Sequence, residues 1–135
     1  MKRIFWIMTL CVALAACSGE KTTPIADSPA RVVGRTATLD DGSISFDWSG
    51  VYIDIRFRGS YLAVELSDTK RNYLNLWIDG EEQPKLTSEG EHTTLVLFND
   101  PSAEGEHLIR IQKATEAEQG RITLHSLTTD GRLLA

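Results

Sequence analysis

A side-chain nucleophile hydrolyses a bond only when a base stands within hydrogen-bond reach and donors face the developing oxyanion. Ser49 lies in Asp47-Trp48-Ser49-Gly50-Val51, which lacks the Gly-x-Ser-x-Gly elbow that exposes a hydroxyl on a strained turn. The chain contains no Gly-Asp-Ser block and no Asp-x-x-His pair to supply a base. Its three histidines, His92, His107 and His125, lack the His-Glu-x-x-His spacing of a zinc site. His107 shares its parity with Ile109 and Ile111, so it is expected as a hydrogen-bonded core histidine. His125 falls with Arg121 and Thr123 on the polar side and is expected in solvent. None of the three has a recognisable acidic partner to orient it. Asp40-Asp41-Gly42 offers two carboxylates, too few for the roughly six to eight oxygens of a calcium site. Glu81-Glu82, beside Asp79-Gly80, reads as a solvated turn. Nothing selects two of the 19 acidic residues as a glycoside-hydrolysing pair. The expectation is a chain with no catalytic residue, no metal and no cofactor.

The amino terminus carries a different chemistry. Lys2 and Arg3 precede an apolar run from Ile4 to Ala13, and Leu14-Ala15-Ala16-Cys17 follows. A basic start, a short apolar run and small residues before a cut make a secretory signal, too short to remain as a membrane span. Its last four residues resemble a bacterial lipobox, which implies cleavage before Cys17 and acylation of that residue. Ser18 in the next position then implies the outer membrane of a two-membrane envelope. The expected boundaries are a signal peptide over 1–16, a flexible tether over 17–30 and a folded domain over 31–135. Loss of Lys2 and Arg3 moves the formal charge from −5 to −7. Such a chain has no reason to seek nucleic acid or anionic lipid heads, so membrane contact would rest on the lipid anchor alone. Cys11 leaves with the signal, so no disulfide is expected and packing must hold the core. A chain of this size buries roughly two-thirds of its unfolded surface, enough for one domain.

The elements that must position these residues have an apolar period of two. Ile44, Phe46 and Trp48 alternate with Ser43, Ser45 and Asp47. Val51, Ile53, Ile55 and Phe57 alternate with Tyr52, Asp54, Arg56 and Arg58, and Leu62, Val64 and Leu66 continue the pattern. Leu74, Leu76 and Ile78 repeat it, and further runs cover 92–98, 107–113 and 121–127. Turn chemistry falls between them, at Ser49-Gly50, Arg58-Gly59, Asp79-Gly80 and Asp130-Gly131 among others. Short alternating strands at steady spacing predict an all-β fold, an antiparallel sandwich or barrel. The expected interior is Ile44, Phe46, Trp48, Ile53, Ile55, Phe57, Val64 and Ile78. Trp48 is placed there because an inward face is the usual use of so large an apolar side chain. Trp77 shares its parity with Tyr73 and Asn75 and is expected outside, where Trp77, Tyr73 and Tyr52 could meet a glycan or a neighbouring domain. KATEAEQG, residues 113–120, breaks the period and predicts a single helical turn or a wide loop. Residues 18–30 are small, polar or proline, with only Ile25 to bury, which reads as a tether.

The order of blocks resembles a known family. The stretch GRTATLDDGSISFDWSGVYIDIRFRGSYLAVEL is followed by NYLNLWIDG, EGEHLIRIQKATEAEQGRITLHSL and TDGRLL. Together these are similar to the N-terminal domain of the family-two carbohydrate esterases, which are acetylxylan-esterase-like enzymes. The match is carried by Phe46, Trp48, Gly50, Phe57, Gly59, Asp79, Gly80, His107, Lys113, Thr115, Glu116 and Gly120, and it runs over about 33–134. The resemblance implies a jelly-roll β-sandwich, to which an α/β SGNH-type hydrolase domain is joined. It implies that the nucleophilic serine and catalytic histidine belong to that second domain, so none of the matching residues inherits a catalytic role. It also implies acetylated plant polysaccharide as the substrate of the whole enzyme. Asp79-Gly80 and Thr115-Glu116 are then expected as turn and docking residues.

Three functions are compatible with this reading. The chain could be the accessory sandwich of a lipoprotein esterase, a stand-alone glycan-binding module, or a structural surface lipoprotein. The first expects a Gly-Asp-Ser block within the codons that follow Ala135.

Overall fold

The structure, a computed structural model, describes residues 19–135. Cys17, the signal and the lipobox lie outside the described residues. Twelve strands follow in chain order: β1 (Lys21–Pro24), β2 (Arg31–Val33), β3 (Ala37–Thr38), β4 (Ile44–Phe46), β5 (Tyr52–Gly59) and β6 (Tyr61–Asp68), then β7 (Arg71–Ile78), β8 (Glu81–Glu89), β9 (Thr93–Asn99), β10 (Gly105–Lys113), β11 (Ile122–Thr129) and β12 (Arg132–Leu134). They form two six-stranded antiparallel sheets. One has the order β3-β4-β11-β6-β9, with β1 beside β4 on the same edge of β11. The other has the order β12-β5-β10-β7-β8, with β2 and β12 sharing one edge of β5. From β4 to β12 the chain changes sheet at every connection but one, the β7–β8 hairpin. That wrapping makes an all-β, jelly-roll-like sandwich.

The alternation in the sequence is realised as an interior face on each sheet. Ile53, Ile55 and Phe57 on β5 meet Leu62, Val64 and Leu66 on β6, with Leu74 and Leu76, Ile109 and Ile111, and Ile122, Leu124 and Leu127 closing the core. Phe57 and Phe98 touch edge to face at 5.5 Å between centroids. Phe46, Ile53, Ile55, Phe57 and Val64 are buried as expected, while Ile44 and Ile78 are only half-buried. In β4 the parity is not clean, because Ser43 and Ser45 are buried too. Ser45 is reached by the Thr123 hydroxyl at 3.3 Å, and Ser43 is held by Asp41.

Trp48 departs from the expected interior, for it is 51% exposed. β4 ends at Phe46, so Trp48 lies past the ladder, where inward parity no longer holds. The tether expected over 17–30 is also corrected from Lys21 onward. Lys21 to Pro24 pair with Thr129 to Ser126, and Ile25 enters the core at 4% exposure. Proline is tolerated there because β1 is an edge segment that need not donate at that position.

The turns explain several residues that carry the family resemblance. Asp79 and Gly80 have φ of 51° and 84°, the paired left-handed conformations of a tight two-residue hairpin between β7 and β8. Arg58-Gly59 ends β5 rather than forming the turn itself, and Ser60 alone links β5 to β6. A Cβ on Gly59 would stand 2.5 Å from Asp130 Oδ1. That oxygen is needed, because it accepts from the backbone amides of Ser60 at 2.9 Å and Tyr61 at 3.1 Å. Burial pushes the Asp130 carboxyl up, but the Ser60 hydroxyl, which donates to Oδ2, and these two amides outweigh it and lower its pKa. KATEAEQG forms one 3-10 turn, Ala117–Gln119.

Candidate functional site

The expected contact residues Trp77 and Tyr52 share the outer face of the second sheet. Register places Arg110 of β10 between Asp54 of β5 and Trp77 of β7, and Gln112 between Tyr52 and Asn75. Arg110 donates through Nε to Asp54 Oδ1 at 2.6 Å and through Nη2 to Asp54 Oδ2 at 2.8 Å, a two-pronged charge-assisted pair. The same guanidinium stands 4.1 Å from the centroid of Tyr52, so one face of that ring is already occupied. Trp77 lines a depression of about 270 Å³ with Gly80, Leu108 and Arg110. Tyr73 lies beyond a register shift between Leu74 and Leu76, with Arg71 5.6 Å over its ring. The three aromatic residues therefore do not form one continuous platform.

Trp48 lies at the end of the sandwich where β4 gives way to the loop before β5. The Arg35 guanidinium is 5.6 Å from its ring centroid. Arg121, the residue after the 113–120 loop, pairs with Asp47 at 3.6 Å beside it.

Asp79 and His107 were not paired by sequence reasoning, yet His107 Nδ1 and Asp79 Oδ2 are 2.6 Å apart. His107 Nε2 is 2.6 Å from the carbonyl of Ala103. Both ring nitrogens face acceptors, an arrangement that favours the imidazolium over the neutral ring. Burial pulls its pKa down, but the bonds to Asp79 and Ala103 outweigh that and raise it. Asp79 is correspondingly lowered against its own desolvation, and also accepts from the Leu108 amide at 2.8 Å. Neither nitrogen of His107 is free to take a proton from a nucleophile. The pair staples the β7–β8 hairpin to β10, and the ring packs on Phe98 at 4.3 Å.

A second pair was also missed. His125 Nε2 lies 2.7 Å from the Ser67 hydroxyl, and its ring stacks on His92 at 5.3 Å, so it is not merely solvated. His92 Nδ1 in turn is 3.3 Å from Glu65 Oε1. Among the described residues no carboxylate is hydrogen-bonded to His125, so the relay that makes a serine nucleophilic lacks its orienting member. Neither pair could be read from alternation, because Asp79 lies in the turn after β7 and His125 sits at the register shift between Leu124 and Ser126. Among the described residues no three His, Cys, Asp or Glu side chains are grouped to hold a metal. Asp41 instead accepts from the Ser43 amide at 2.9 Å and its hydroxyl at 2.5 Å, which lowers its pKa. Glu81 and Glu82 are exposed, within the start of β8 rather than in a turn.

The remaining residues that carry the resemblance belong to a buried polar network. Lys113 is 1% exposed, and its Nζ donates to the carbonyls of Thr115 at 2.8 Å and Glu116 at 2.9 Å. Burial lowers its pKa, while Asp68, Asp47 and Glu116 oppose that shift. Asn72 donates to both oxygens of Asp68 at 2.9 Å and accepts from the Thr115 hydroxyl, and Ser88 donates to Asp68 at 2.5 Å. A Cβ on Gly120 would stand 2.7 Å from Asp68 Oδ1. The Gly50 amide donates to the Lys113 carbonyl at 2.8 Å. These residues set the 113–120 loop and tie it to the segment bearing Trp48.

The family model described as "Carbohydrate esterase 2 N-terminal" matches residues 32–135. The chain belongs to that family. A curated relative, an acetylxylan esterase / glucomannan deacetylase of Cellvibrio japonicus, is 30% identical over 141 residues, covering 97% of this chain and 39% of its own. The chain thus spans about four-tenths of the length of that relative. The solved structure of a family two carbohydrate esterase from Cellvibrio japonicus superposes with a TM-score of 0.74 at 29% identity, over 86% of this chain and 35% of that one. A family two carbohydrate esterase from Clostridium thermocellum, solved in complex with cellohexaose, gives 0.73 at 26% identity over 78% and 33%. For this carbohydrate esterase 2 N-terminal sandwich, the geometry of Lys113, Thr115, Gly120, Asp79 and Gly80 is structural.

Proposed function

We propose that this sandwich is the non-catalytic N-terminal part of a carbohydrate esterase of the acetylxylan type, acting beside an SGNH-type hydrolase domain on acetylated plant polysaccharide. One observation carries the reading: the family match falls on the sandwich, and the match to nearly the whole of this chain covers only 39% of the esterase relative. The site chemistry supports it. His107 has both nitrogens engaged, and Ser67–His125 has no carboxylate to orient it, so neither supplies the nucleophile and base of acyl transfer. We further propose that Cys17 is acylated and fastens the sandwich to the outer membrane of a bacterial envelope, on the strength of the Leu14-Ala15-Ala16-Cys17 tetrad.

The purified chain is expected to release no acetate from acetylated xylan or an aryl acetate above the buffer rate. An SGNH-type hydrolase domain joined after Ala135 is expected to add that activity. Turnover by the chain alone that vanishes in Ser67→Ala would overturn the reading.

A further inference from the structure

Among the described residues Trp48 is the most exposed of the large apolar side chains at 51%, and Leu39, at 45%, lines the same depression. The indole stands between two hollows. One, of about 220 Å³, is bounded by Arg35, Thr36, Leu39, Asp47 and Arg121. The other, wider and more open at about 490 Å³, is floored by Gly34, Ser49, Gly50 and Val51.

The backbone that carries the indole is pinned on both sides. On one side Phe46 is buried and paired with Ile122. On the other, Gly50 takes φ of 89° and donates to Lys113, whose own amide donates to the Val51 carbonyl at 2.9 Å. Trp48 therefore rides on a short bridge between two fixed points. A ligand reaching it would not have to order the backbone first, which removes one of the main costs of binding.

The lining combines an apolar aromatic wall with a few convergent polar groups, the composition of a small-ligand site. Asp47 and Arg121 meet at 3.6 Å with side chains 36% and 62% exposed, a loose pair that can turn its oxygens and N–H groups toward hydroxyls. Arg35 and Thr36 add donors on the same wall. The lining itself sets Arg35 and Arg121 against Asp47, so an anionic polymer is disfavoured only by the acidic chain as a whole. A protein partner would favour a continuous apolar patch, whereas this lining mixes Leu39 and Trp48 with Arg35, Asp47 and Arg121. A chain of flat rings with one apolar face each, joined by narrow linkages, fits two adjoining hollows that share Trp48 in their lining. The outer face carrying Trp77 and Tyr52 offers less, because Arg110 is committed to Asp54 and stands 4.1 Å over Tyr52, closer than the 5.6 Å of Arg35 over Trp48.

We propose that the end of the sandwich around Trp48 is a glycan-binding site for a neutral β-linked pyranose chain, with sugar rings against the indole and Asp47, Arg121 and Arg35 on their hydroxyls. The restriction to plant polysaccharide rests on the esterase reading above; the site itself does not.

The full chain, titrated with xylohexaose, cellohexaose and mannohexaose by calorimetry and tryptophan fluorescence, should bind at least one of them. Trp48→Ala should weaken that binding by about tenfold or more, as for a stacked tryptophan at the centre of a contact. Asp47→Asn should weaken it less, and Trp77→Ala should leave it unchanged. Because Trp48 is exposed, the variants should keep the wild-type melting curve, which is measured alongside. Absence of binding by the wild type overturns the proposal, as does Trp48→Ala binding like the wild type. A Trp48 surface that ignores sugars but is buried by an added hydrolase domain also overturns it and assigns the face to a protein. None of these outcomes touches the accessory-domain reading, which the acetate assay tests separately.

Discussion

A charged histidine stabilises only while it holds its proton. His107 has its pKa raised above the ordinary 6.5 by Asp79 and the Ala103 carbonyl, which overcome its burial. Its contribution is therefore complete below that ordinary value and is lost as pH rises through the higher folded value. Asp79 is lowered from 3.8, so its share is present above that value and disappears as pH falls through the lower folded one. Between the two, the staple between the β7–β8 hairpin and β10 is at full strength. His107→Gln is expected to cost about 1 kcal/mol near pH 6, less than a fully buried charge-assisted bond because Asp79 is half exposed. Urea denaturation across pH should show the wild-type advantage shrinking on the alkaline side and the variant nearly flat. An advantage that grows with pH would refute the assignment. The sequence placed His107 correctly as a hydrogen-bonded residue by parity, but its partner is 28 residues away and only the β7–β10 register joins them. Trp48 was misplaced for the complementary reason: alternation was extended past the last paired residue of β4, where nothing enforces it.

Among the elements, β1 is where composition and structure disagree most. Its residues are small, polar or proline, and one isoleucine cannot display a period, so sequence alone points to a tether. The tertiary partner decides otherwise. β11 offers an open edge from Ser126 to Thr129, and β1 takes it, swinging Ile25 into the core. Strands with strong alternation, β5, β6, β7 and β10, were legible because each buries one whole face. Short pieces that borrow stability from an edge were not. Ile25→Ala is expected to destabilise the sandwich by about 2–4 kcal/mol, the range for truncating a buried branched side chain. The urea midpoint should fall with little change in slope. A true tether would give no shift at all, and that result would detach 19–27 from the fold.

For the molecule as a whole, the ordering of β1 changes what a lipid on Cys17 would do. Only residues 18–20 separate that cysteine from the first paired residue, Lys21, so a fully extended link reaches about 14 Å. On the proposal that Cys17 is acylated, the sandwich sits against the membrane surface rather than being held away from it. Its charge then matters. With the signal removed the formal charge is −7, so the net charge opposes binding to anionic lipid heads. Attachment should depend wholly on the lipid. Cys17→Ser, expressed in a bacterial host and fractionated, is expected to move the sandwich from the membrane to the soluble fraction. Low ionic strength makes the test stringent, because weak electrostatic binding would be strongest there. The variant should still be soluble under that condition. If it remains membrane-bound at low salt and at high salt alike, the anchor lies elsewhere and the lipobox reading of Cys17 fails.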